Sequence, residues 1–164
     1  KYLEKRQQAV DVVINIQGDE PMLDPDSLLK LGESFRDPTV KMATLITLVK
    51  DAHDLHDPGV VFVVFDESLR ALYFSRSAIP HVQGIPEREW LSHHHFYKHI
   101  GMYAFRPEAL KEFAALPMSS LEKAESLEQN RWLEKGYQIK LCVTDHEGIS
   151  VDTPDDLEKV RKLI

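Results

Sequence analysis

The apolar residues of this chain fall into short runs separated by polar breaks, and the runs are mostly too short for helices. "AVDVVINI" (9–16) is apolar on both faces, the pattern of a central parallel strand. "MATLITLV" (42–49) repeats that pattern. "VVFVVFD" (60–66) and "ALYFSR" (71–76) lie a few residues apart and predict a hairpin. "KHIGMYAFR" (98–106) predicts another strand, and "YQIKLCVTD" alternates, with Ile139, Leu141 and Val143 on one face.

Polar signals mark the helices between them. Asp24-Pro25 offers an N-cap and a first-turn proline for a helix to about Phe35. Pro107 opens a helix to about Leu116. Ser119 and Glu122 have capping-box spacing for one longer helix, "SLEKAESLEQNRWLEKG", ending at Gly136. Thr153-Pro154 caps a last helix running to the end, with Asp155 and Asp156 in its first turn. Residues 1–8 read as the end of a helix, and 80–97 as irregular. The order β-α-β-β-β-β-α-α-β-α predicts a mixed α/β sheet in a single domain, 1–164, that begins inside its fold.

Composition narrows the function. A net charge of −7 disfavours a binder of nucleic-acid backbones. The single cysteine, Cys142, excludes an intrachain disulfide framework and suits a reducing cytoplasm. No apolar run reaches membrane-spanning length, so no membrane partner is expected. The P-loop, the G-x-G-x-x-G turn, the C-x-x-C pair and the G-x-S-x-G elbow are all missing, which disfavours their enzyme classes.

Candidate chemistry sits at strand ends. In "VVINIQGDEP" the apolar strand stops at Gly18 and Asp19 follows; Asp152 follows "GISV" before a helix cap. Each is either a turn residue or an oxygen ligand, and together the two could hold one Mg²⁺ beyond the strand ends. Arg76, just after a strand, is either a solvated side chain or a bidentate partner for a carboxylate or phosphate. His99 in an apolar strand is either a hydrogen-bonded core residue or a ligand contact. His93, His94 and His95 are adjacent, so an extended chain turns them to opposite faces and they make a poor metal site. Glu125, Glu128 and Arg131 read as a solvated, ion-paired helix face, although Glu128-Gln129 could serve a polyhydroxy ligand.

Five segments in order, "INIQGDEP", "ALYFSRSAIP", "KHIGMYAFRPEAL", "ESLEQNRWLEKGYQIK" and "ISVDTPDDLEKV", resemble the 3-deoxy-manno-octulosonate (Kdo) cytidylyltransferase family of lipopolysaccharide biosynthesis. The resemblance implies a transferase that couples CTP and Kdo to CMP-Kdo and pyrophosphate. It also implies a mixed, mainly parallel Rossmann-like sheet flanked by helices, Mg²⁺ dependence and a homodimer. By motif, Asp19 and Asp152 resemble the metal-binding, catalytic aspartates. Gln17 resembles a residue near the nucleotide and sugar. Arg76, His99, Glu128 and Gln129 resemble the Kdo-binding set, with Arg76 on the sugar carboxylate. The chain departs from the family where Phe62 stands in place of a frequent lysine and where the family's triphosphate-gripping loop has no counterpart. By themselves these residues are therefore expected to show little activity and poor solubility. The alternatives are another sugar nucleotidyltransferase, of CMP-sialic acid or NDP-hexose type, and an inactive dimerisation module whose anchors would be Trp90, Phe96 and Tyr97, three residues that read first as ordinary core.

Overall fold

In the computed structural model, which describes residues 9–18, 24–146, 151 and 154–162, the apolar runs become six strands. These are β1 (Val13–Asn15), β2 (Met42–Leu48), β3 (Phe62–Phe65), β4 (Ala71–Ser75), β5 (Tyr97–Phe105) and β6 (Lys140–Val143). The helices are α1 (Pro25–Ser34), the single turn α2 (Trp90–His93), α3 (Pro107–Ala115), α4 (Ser120–Glu125), α5 (Gln129–Glu134) and α6 (Pro154–Arg161). Asp24 caps α1 as expected, its carboxylate accepting from the Ser27 amide at 2.9 Å.

The sheet order is β4-β3-β5-β2-β6. β5 carries β2 along one edge, and β3 and β1 share the other, β3 at Lys98 and β1 at Tyr103–Phe105. The sheet is mixed, as expected, but it is not mainly parallel among the described residues: only β2 with β6 runs parallel. β1 likewise pairs antiparallel rather than as a central parallel strand. An apolar run reports burial of both faces and carries no information about its neighbour's direction, which explains both differences.

Two further expectations are corrected. The single helix after Ser119 breaks at Ser126, which adopts left-handed φ 53°, ψ 46°. Burial of Leu127 in the main core and the bonds made by Glu125 outweigh continuous helix propensity there. The capping box itself forms, and Gly136 takes φ +80° just beyond α5. The stretch 80–97 is more ordered than its sequence suggested, holding a 3₁₀ turn at Glu87–Glu89 and α2. Its Trp90 and Phe96 are buried, packed with Val49, Leu55 and Phe62, so they are core residues and not exposed dimer anchors. Phe62 is fully enclosed there, and an apolar side chain suits the position.

β5 bulges: Thr44 pairs with Tyr103 while the next residue, Leu45, pairs with Ile100. The bulge turns carbonyls out of the ladder, and the Thr44 hydroxyl donates to Met102 O at 2.8 Å. At the other end the sheet curls. The β3–β4 turn reaches β6, with Leu141 N donating to Leu69 O at 2.8 Å and Ala71 N to Ile139 O at 3.0 Å. This closure wraps the largest core cluster, which includes Met42, Ile46, Phe74, Trp132 and Leu141.

Candidate functional site

A cavity of about 370 Å³ opens between β1, the end of β5, α3 and the start of α5. Val13, Met42, Phe105, Leu110 and Phe113 make its apolar floor. Asn15, Gln17, Tyr103, Glu128 and Gln129 supply its polar groups. Such a surface, apolar with a few converging polar atoms, is the usual composition of a small-molecule site. Three of the residues singled out in the sequence, Gln17, Glu128 and Gln129, meet here from segments more than a hundred positions apart.

Gln129 is the most informative of them. It is 2% exposed, and its Nε2 has no hydrogen-bond partner among the described residues. A buried amide donor left unpaired costs about 1–3 kcal/mol, so in a cavity wall this one is open to an acceptor that enters the cavity. Glu128, one residue before α5, is exposed at the cavity rim.

Tyr103 also lines the cavity and was missed in the sequence. Burial, and then the nearby Glu128 carboxylate, push its phenol above the ordinary range, so it remains a protonated donor. Its ring rests on His99, with centroids 5.1 Å apart. His99 stands behind Tyr103, outside the cavity lining, with Phe74 on another side at 5.3 Å. Its Nε2 lies 2.8 Å from Thr44 Oγ1. Because the Thr44 hydroxyl proton goes to the bulge carbonyl, Nε2 carries the imidazole proton and Nδ1 the lone pair. Burial lowers the His99 pKa to about 3, so the ring is neutral near pH 7. The isolated Gly101 inside an apolar strand was the available signal for this bulge and its two aromatic neighbours.

Arg76 follows the end of β4, is not part of the cavity lining, and is fixed by backbone atoms. Its Nε donates to Glu125 O at 2.9 Å and its Nη1 to Pro58 O at 3.1 Å. Among the described residues one Nη1 proton and both Nη2 protons are left over, enough for an end-on, two-point grip on a carboxylate. Glu125, read in the sequence as a solvated acid, organises this corner. Its carboxylate accepts from Tyr73 OH at 3.0 Å, Ser75 Oγ at 2.9 Å and Arg76 N at 2.9 Å. Burial alone would raise its pKa; the hydrogen bonds from the Arg76 amide, Ser75 and Tyr73 outweigh that and hold it below the ordinary value. Arg131 does not join a solvated face either. It pairs with the buried Glu122 through both carboxylate oxygens, and its Nη1 donates to Leu116 O at 2.9 Å. Asn130, fully buried, bonds both backbone groups of Phe74 and so covers the exposed edge of β4.

Asp19 and Asp152 lie outside the described residues. Among the described residues no cluster of His, Cys, Asp or Glu could hold a metal ion, and His93–His95 form none. No helix among them is long and apolar enough to cross a membrane.

A cytidylyltransferase family profile matches residues 2–141. The chain is 47% identical over 156 residues to the 3-deoxy-manno-octulosonate cytidylyltransferase of Parabacteroides distasonis, covering 93% of this chain and 62% of that protein. It is 48% identical over 157 residues to the enzyme of the same name from Bacteroides thetaiotaomicron, covering 94% and 63%. The chain therefore spans less than two thirds of these curated relatives. Among solved structures, a CMP:2-keto-3-deoxy-manno-octonic acid synthetase complexed with CTP aligns at TM-score 0.86 and 38% identity, over 99% of this chain and 64% of the other. An inositol-1-phosphate CTP transferase from T. maritima aligns at TM-score 0.55 and 18% identity, over 99% and 58%, a likeness of fold alone.

Proposed function

Because this chain belongs to the cytidylyltransferase family, we propose that the protein transfers the cytidylyl group of CTP to Kdo, forming CMP-Kdo and pyrophosphate. The supporting observation is the unpaired, buried Gln129 amide in the wall of a cavity that also gathers Gln17, Tyr103 and Glu128. The names of the relatives supply the substrates, and the cavity supplies groups of the right chemistry for a polyhydroxylated acid.

In this reading the sugar is oriented by its polar groups. The free end of the Arg76 guanidinium takes the Kdo carboxylate. Gln129 donates to a sugar oxygen, and the Glu128 carboxylate accepts from a hydroxyl. Tyr103 keeps an uncharged hydroxyl in the cavity wall near neutral pH, and neutral His99 supports its ring from behind without adding charge. Gln17 faces the junction of sugar and nucleotide. So held, the anomeric hydroxyl attacks the α-phosphorus of CTP in line; the new C–O–P linkage forms as the bond to pyrophosphate breaks, and the hydroxyl proton is released.

Mg²⁺ belongs to the same proposal. Its holders would be Asp19 and Asp152, whose hard carboxylate oxygens are the donor chemistry this ion prefers. When bound, the ion offsets the charge of the phosphates. A homodimer and a cytoplasmic location complete the reading.

The test is pyrophosphate release by the protein as encoded. Release from CTP should require Kdo and Mg²⁺, and Arg76→Ala should raise KM for Kdo by at least about tenfold, as loss of a charged hydrogen bond does. Equal turnover of a neutral sugar phosphate in place of Kdo would overturn the assignment.

A further inference from the structure

The closure of the sheet creates a second recess that the proposed reaction does not use. It has a volume of about 250 Å³ and lies where the start of β2, the β3–β4 turn and the start of β6 converge. Each of those segments contributes one cation to its lining: Lys41, Arg70 and Lys140. The one acid in the lining is Asp37, which interacts with Arg70 and Lys140, so the lining sets three positive charges against one negative charge in a chain whose net charge is −7. Thr39, Ser68 and Gln138 add polar groups to the same walls.

The cations are held in place. Lys140 Nζ donates to Ser68 O at 2.7 Å. Lys41 Nζ sits over the Tyr137 ring, 5.9 Å from its centroid. Arg70 is pinned through its backbone, which bridges to Lys140, while its exposed guanidinium makes no hydrogen bond among the described residues. The preceding residue, Leu69, adopts φ 55°, a strained conformation for a branched side chain. Its carbonyl bond to Leu141 and its packing on the main core hold that turn, and with it the position of Arg70. Asp37 is occupied by Thr39, whose amide and hydroxyl reach its Oδ1 at 2.8 and 2.7 Å. Asp66, on the same turn, is likewise engaged by the amides of Ser68 and Arg70 at 2.9 Å. Neither carboxylate is bonded to Arg70's guanidinium.

We infer that this recess binds a small phosphate-class dianion, gripped by Arg70 and Lys41 with Lys140 behind them. Like charges gathered by three separate segments repel one another unless a counter-charge joins them, and two positive charges match one doubly ionised phosphoryl group. The site shares only Met42 with the cavity described above and does not depend on the reaction proposed for that cavity.

The test is a titration of the ¹⁵N-labelled chain with inorganic phosphate and, separately, with CMP, against sodium chloride at matched ionic strength. Saturable amide shifts are expected at Thr39, Lys41, Ser68, Arg70 and Lys140. Arg70→Ala should weaken binding by at least about tenfold, and Arg70→Lys should restore much of it. Arg70 is exposed and Lys41 is too, so Arg70→Ala and Lys41→Ala both keep the fold readable. Saturation by phosphate alone identifies free phosphate as the occupant; saturation by both identifies a phosphoryl group in either setting. Shifts that follow chloride equally, or affinities unchanged in both alanine variants, would overturn the site.

Discussion

Two stretches of similar length cover different parts of the sheet and are held by different forces. From Ser119 to Glu134 the contacts are polar and directional. Glu122 grips Arg131, Glu125 collects three donors, and Asn130 pairs with the backbone of β4. From Ile85 to Phe96 the contacts are mostly apolar. Trp90 stacks on Phe96 with 5.7 Å between centroids, His94 meets the Phe96 ring edge-on, and Phe62 closes the cluster from below. Hydrogen bonds fix angles, whereas apolar contact fixes mainly volume. In the proposed reading the first stretch therefore supplies the side chains that would meet a ligand, and the second supplies stability. Recognition and cohesion are separated along this chain, and substitutions can separate them further.

The largest effect should come from the apolar side. Phe96→Ala empties a fully buried ring position and should cost about 3–5 kcal/mol in urea unfolding. Its effect on sugar affinity, measured on the fraction still folded, should be small. Arg131→Leu should come next, at roughly 3 kcal/mol, because Glu122 is left charged and buried without its cationic partner. In the double variant Arg131→Leu with Glu122→Leu, recovery of most of that loss is expected; no recovery would mean that the packing of Arg131 on Phe113 matters more than the ion pair.

Glu125→Gln should invert the pattern. Three donors face this carboxylate, and an amide turns one acceptor into another donor. The stability cost should be about 1 kcal/mol, while the chain at Arg76 loses the anchor of its amide and Kdo affinity falls about tenfold. An unchanged KM for Kdo would detach Arg76 from the site. The smallest effect near neutral pH belongs to His99. Unfolded chain takes up a proton at the ordinary value of 6.5, while the folded ring waits until about 3. Stability attributable to this ring is thus complete above pH 6.5 and is lost as pH falls from there towards 3. His99→Gln should flatten that acid limb in a series of urea midpoints and leave the midpoint at pH 8 nearly unchanged.

Much of the fold could be read from local signals. Asp24-Pro25, Ser119 with Glu122, and Gly136 act through atoms within a few residues, and each does what its type suggests. Arg76, Glu128 and Gln129 were legible as polar residues open to a ligand role, and Gln17 only through the motif that resembles the family. Strand direction was not legible, because side-chain burial is the same for parallel and antiparallel neighbours in a covered sheet. The break at Ser126 was hidden for a similar reason. Its cause is a set of bonds from Glu125 to β4, about fifty positions away, and a periodic charge pattern cannot report such partners. Tyr103 went unnoticed because its role follows from a bulge that only Gly101 hinted at.

The late arrival of β6 has a bearing on biosynthesis. β2 is apolar at nearly every position, and one of its edges finds its mate only when residues 140–143 have been made. Once β5 has emerged from the ribosome it can pair with β2, yet a bare, sticky border remains until some thirty-odd further residues have followed it out. Nascent chains halted in that interval should be preferred clients of chaperones. Those extended past Val143 should escape, since the same residues that seal the border also latch the hairpin turn at Leu69.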